Sequence, residues 1–131
     1  MKPDRETQTQ FTEPIVTASV DDQNSAFANL ATSLAEIRKL KGVTGYILRS
    51  HSSAIIDLND QDKIIEYALL STEINEYGLM AAKQLELGDT ECVLVEGKDV
   101  KVLTINVSGN RISIFMEKTA THAWIIKRIL L

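Results

Sequence analysis

One cysteine, two histidines and two prolines are all that this 131-residue chain holds of the residues that signal disulfides, metal sites and chain breaks. A lone cysteine excludes a disulfide framework and fits a reducing compartment. Cys92 lies in an apolar strand pattern with no candidate base beside it, so it reads as a buried thiol and not a nucleophile. Neither His51 nor His122 has a second His or a Cys at ligand spacing. Basic charge is also short: 14 Lys plus Arg against 18 Asp plus Glu leave a net charge of -4. That balance, with no basic patch among interleaved aromatics, argues against nucleic acid and against an anionic membrane surface. No apolar run reaches the length of a membrane span, and the polar opening MKPDRETQTQ is not a signal peptide. The expected location is cytoplasmic, without membrane insertion.

Catalytic signatures are missing as well. Gly97-Lys98 lacks the preceding glycine and the following Ser or Thr of a phosphate loop. No Gly-x-Ser-x-Gly and no His-Glu-x-x-His occurs. Asp57, Asn59, Asp60 and Asp62 gather ahead of a helix. A calcium loop would need glycine and glutamate where Asp62 and Ala68 stand, so helix capping and the helix dipole explain the cluster better. A ligand-sensing role would need an apolar cavity with convergent polar groups, and the sequence names none. The expectation is a protein with no cofactor and no metal that is not an enzyme.

What the chain does have is periodicity. Residues 1–20 read as a flexible tail with both prolines, and residues 21–131 as one domain. Phe27, Leu30, Ala31, Leu34, Ile37 and Leu40 recur at steps of three and four, predicting a helix over 22–41 capped by Asp21 or Asp22 and stopped by Gly42. Strands follow at Val43–Arg49 and Ala54–Leu58, then a helix over 61–87. Three strands come next, over 90–96, Val100–Val107 and 111–117, joined by short glycine-containing turns. A last helix spans 120–131. The class is α+β: a five-stranded antiparallel sheet with helices on both faces, in the order α-β-β-α-β-β-β-α.

The helix over 61–87 organises the rest. Its apolar residues, Ile64, Tyr67, Ala68, Leu70, Ile74, Leu79, Ala81, Ala82 and Leu85, cover roughly 200° of the wheel where about 100° serves a surface helix. A thinner stripe runs through Leu69, Met80 and Leu87. One sheet cannot cover so wide an arc, which points to a homodimer. The third strand, with Cys92, Val93, Leu94 and Val95 in a row, is an aggregation hazard at a sheet edge unless it is paired. Pairing that strand and that helix with their symmetry mates meets both needs in one isologous interface. Tyr67, Leu70, Ile74, Gly78, Ala81 and Ala82 from the helix, with Cys92–Val95, are its expected residues. Gly78, Ala81 and Ala82 are expected to let the helices approach closely.

Several stretches resemble the Roadblock/dynein light chain domain family, in its prokaryotic branch. The resemblance covers about 24–131. It rests on LAEIRKLKGVTGYIL at 34–48, the small-residue segment YGLMAA at 77–82, ECVLVEG at 91–97 and the closing ATHAWIIKRI at 120–129. It implies a non-catalytic dimer, paired through the second helix and third strand, that binds a small Ras-like GTPase and modulates its nucleotide cycle or localisation. Exposed residues of the helix, Leu69, Glu73, Glu76 and Met80, are the expected partner contacts. The alternative is a passive dimeric scaffold of a larger complex, dynein-like or other, without effect on nucleotide turnover. Arg49 and Arg111 qualify as candidate arginine fingers by residue type only. At the first hairpin the family's usual acidic residues and glycine are replaced by Arg49-Ser50-His51-Ser52-Ser53.

Overall fold

In the computed structural model, residues 17–88 and 92–131 are described, with the side chains of the first helix described from Ser25. The elements are α1 (Thr17–Ile37), β1 (Val43–Arg49), β2 (Ala54–Leu58), a 3-10 turn (Gln61–Lys63), α2 (Ile64–Gln84), β3 (Cys92–Glu96), β4 (Val100–Val107), β5 (Asn110–Glu117) and α3 (His122–Leu130). All five strands form one antiparallel sheet in the order β2-β1-β5-β4-β3, so β2 and β3 are its edges. The α+β architecture and element order expected from the sequence are those observed. The expected tail lies outside the described residues up to position 16, as do Thr90 and Glu91 of the expected third strand.

Two faces of the sheet carry different cores. Leu30, Leu34 and Ile37 of α1 and Ile125 of α3 pack with Tyr46, Leu48, Leu103, Ile105, Ile112 and Ile114 on one face. On the other, Ile64, Tyr67 and Ala68 of α2 cover Ile47, Leu58 and Phe115. The Tyr67 and Phe115 rings meet at 4.8 Å between centroids. Period-two alternation on β5 separates the sets: Ile112, Ile114 and Met116 go to the first core, Phe115 to the second.

Local chemistry sets the element ends. α1 begins before the expected position, so Asp21 and Asp22 lie inside it and not at its cap. It ends sooner than expected because its exit tightens into three-residue hydrogen bonds, Lys39 to the Glu36 carbonyl and Leu40 to that of Ile37. Arg38, just past α1, then clamps the strands. Its Nε donates to Asp57 Oδ1 at 3.3 Å, its Nη1 to the Val43 carbonyl at 3.0 Å, and its Nη2 to Asn59 Oδ1. Asp57 is therefore an ion-pair partner and not a helix cap, whereas Asp60 does cap, accepting from the Asp62 amide at 3.0 Å. The β1–β2 turn needs no glycine because Ser50 Oγ accepts from the amides of Ser52 and Ser53. α2 closes on Glu86 at φ +57, ahead of Gly88. The Leu87 amide returns to the Ala82 carbonyl and that of Glu86 to Lys83, the paired bonds of a Schellman cap.

Candidate functional site

The surface of α2 is where sequence and packing diverge. Its sheet-facing stripe is Ile64, Ala68, Ser71, Asn75, Gly78 and Ala82, spaced four, three, four, three, four. Ser71, Asn75 and Ala82 are its buried residues. Small side chains bring the helix close to the sheet. A Cβ on Gly78 would stand 2.4 Å from Val93 Cγ2 of β3, so only glycine fits the observed approach. The buried polar groups are answered. Asn106 Nδ2 donates to Asn75 Oδ1 at 2.8 Å, Ser71 Oγ donates to the Ala68 carbonyl at 2.9 Å, and the buried Thr104 and Ser113 hydroxyls lie 3.3 Å apart.

Past Tyr67 the small residues turn inward and most of the large ones face out. Leu69, Leu70, Tyr77, Leu79, Met80, Leu85 and Leu87 are exposed, Tyr77 by 66% and Leu69 by 64%. The expected arc thus splits. Ile64, Tyr67, Ala68 and Ala82 meet the sheet, while Leu70, Leu79, Ala81 and Leu85 do not. Scattered exposed apolar residues are ordinary on a protein surface, but this many large ones on one helix mark an interaction face. Beside it runs β3, bonded among the described residues only to β4, with Val95 exposed at that edge. Cys92 and Leu94 turn toward the α1–α3 core, and Val93 faces Gly78.

Of the residues expected at a dimer interface, Leu70, Ala81 and Val95 are exposed, Tyr67, Ile74, Gly78, Cys92, Val93 and Leu94 are half-buried, and Ala82 is buried. Gly78, expected to admit a second helix, instead meets Val93 of its own β3. The expected partner contacts Leu69, Glu73, Glu76 and Met80 are all exposed on α2. Ile65, exposed by 76% in the first turn of α2, extends this surface and was not singled out by sequence reasoning. The inward stripe left no apolar signal in the sequence, because Ser71 and Asn75 interrupt it and large apolar residues crowd the other faces.

His122 Nδ1 lies 2.9 Å from Nζ of the buried Lys101, and its ring is half-buried. Burial pushes the Tyr46 hydroxyl above the ordinary tyrosine value, with the Asp57 charge adding to the rise and Arg38 opposing it. Among the described residues no group of three or more His, Cys, Asp or Glu side chains is placed to hold a metal ion. No described helix is long and apolar enough to cross a membrane.

Among solved structures, the chain matches a crystal structure of a Roadblock/LC7 domain from Streptomyces avermitilis, with a TM-score of 0.60 and 17% identity, over 81% of this chain and 87% of that one. No family model matches the sequence, and no curated protein does. At that identity the likeness shows the fold: the chain has the Roadblock/LC7 fold.

Proposed function

We propose that this protein is a non-catalytic regulatory subunit that pairs with its own copy through α2 and β3, and that the paired surface docks a small Ras-like GTPase. The observation that carries the reading is the inverted dressing of α2. A helix with only the sheet to cover would turn its large apolar residues toward it. Here Ile64 and Tyr67 do so at its start, whereas Leu69, Leu70, Tyr77, Leu79 and Met80 point outward beside a strand edge that no described residue pairs. Covering both with a second copy joins two edges into one continuous sheet and gives an isologous contact. Support for the GTPase comes from the fold and from the sequence resemblance. Leu69, Glu73, Glu76 and Met80 would then form the docking surface, and any effect on hydrolysis would come through the partner's switch loops.

Light scattering tests the first part. Wild type is expected at twice the chain mass at roughly micromolar concentration, and Leu70→Glu with Val95→Glu at the single mass. Both positions are exposed in one chain, so the double variant is expected to keep its fold within about 1 kcal/mol. A monomeric wild type overturns the pairing. For the second part, a purified Ras-like GTPase from the same genome is titrated in its GDP and GTP-analogue forms. Alanine at Leu69 and Met80 is expected to abolish binding while leaving the dimer mass unchanged. A dimer that neither binds the GTPase nor alters its turnover is instead a passive scaffold.

A further inference from the structure

The end of the sheet bearing the β1–β2 and β4–β5 turns holds a polar cleft of about 460 Å³, lined among others by Arg49, His51, Asn106, Asn110 and Arg111. Arg49 and Arg111 are direct cross-strand partners in the β1–β5 register. Like charges in that relation destabilise a sheet. No Asp or Glu lines the cleft, and among the described residues none forms an ion pair with either guanidinium. Arg49 Nη1 donates to Thr72 Oγ1 at 3.1 Å, which fixes its head against α2. Arg111 Nε is closed off from solvent and has no hydrogen-bond partner among the described residues. A buried unpaired donor on a cation is costly, and since Nε is shut off from solvent it is not the atom that a molecule in the cleft reaches.

We infer that this cleft binds a small phosphate ester, its dianionic phosphoryl group lying between the two guanidinium groups. The charge count selects the chemistry: two facing cations are balanced by a dianion, whereas a carboxylate answers only one. Arginine's planar fork of donors suits phosphate oxygens. The volume selects the ester over the free ion, because the cleft falls in the size range of small-molecule sites and inorganic phosphate fills only a fraction of it. His51, in the turn above, adds a third nitrogen-bearing group to the rim. This site reaches α2 through Thr72 and Asn75, neither of them among the residues proposed for pairing or docking, and does not rest on dimerisation or on a GTPase partner.

Titration calorimetry and thermal melts of the full chain test the inference, with inorganic phosphate, phenyl phosphate and sodium chloride at matched ionic strength. Phenyl phosphate is expected to bind saturably and raise the melting temperature. Inorganic phosphate should bind more weakly, and chloride should leave the melt unshifted. Arg49→Gln, at an exposed position, and Arg111→Gln should each weaken phenyl phosphate binding about ten-fold or more, which is about 1.4 kcal/mol. Without ligand, Arg49→Gln should melt close to wild type, because the repulsion it removes offsets the exposed Thr72 hydrogen bond it loses, and this separates the site from a purely structural role. Equal shifts with chloride, absence of saturation, or unchanged affinity in Arg49→Gln would overturn the site. Inorganic phosphate binding as tightly as the ester would overturn the ester.

Discussion

At φ +57, Glu86 occupies the left-handed position that closes α2, a conformation that costs an L residue about 1–2 kcal/mol. Its side chain is exposed, so nothing packed is lost on removing it. Glu86→Gly is therefore expected to gain about 0.5–1 kcal/mol, the relief of strain less glycine's greater freedom in the unfolded chain. Urea unfolding measures this, and Glu86→Ala, which keeps a Cβ, should gain little. Tyr46 makes a prediction in pH. Its folded value lies above the ordinary 10.0, for burial first and the Asp57 charge second. The folded state thus holds the phenol proton more tightly than the unfolded chain does. The associated stability is complete below about pH 10 and is lost as the pH rises through the folded value. Tyr46→Phe should flatten the alkaline limb of a melting profile while leaving its neutral-pH shape unchanged, and an identical limb in both proteins would remove Tyr46 as its cause.

On the scale of elements, Gly78 sets two effects against each other. Alanine there gains about 1 kcal/mol of helix propensity. Its Cβ, however, would stand 2.4 Å from one Val93 methyl and 3.0 Å from the other, so β3 or α2 must shift. Overpacking of this kind costs about 1–3 kcal/mol, so Gly78→Ala is expected to destabilise on balance. Val93→Ala opens the missing space, and the double variant should be more stable than the sum of the single effects, as a double-mutant cycle in urea would show. The same helix shows where sequence legibility stops. Its extent and its surplus of apolar surface were readable from periodicity and caps. Which face met the sheet was not, because the buried Asn75 and Ser71 look like solvent residues until Asn106 and the rest of the polar sheet face are in place. Long-range pairing of this sort leaves no local signature. The Lys101–His122 contact and the Arg38 clamp were invisible for the same reason, each joining residues about twenty positions apart.

For the molecule as a whole, hairpin economy accounts for three of the four strand pairings. Short turns tie β1 to β2, β3 to β4 and β4 to β5, so only the β1–β5 pairing joins strands distant in the chain. That pairing places the first hairpin beside the last and leaves β2 and β3 at the edges, and the two edges differ. Both are five residues long, but on β2 Asp57 is tied to Arg38. β3 carries Val and Leu and adjoins the apolar face of α2. An interface formed there stabilises only the folded chain, so its contribution depends on concentration. If the paired form is the stable one, each hundred-fold dilution should remove about 2.7 kcal/mol of apparent stability per dimer, by mass action alone. Melting by differential scanning fluorimetry across that range should then show a midpoint falling by several degrees for wild type. Leu70→Glu with Val95→Glu, already single, should melt at one temperature throughout. A wild-type midpoint indifferent to dilution would mean that the outward face of α2 is covered by something other than a second copy.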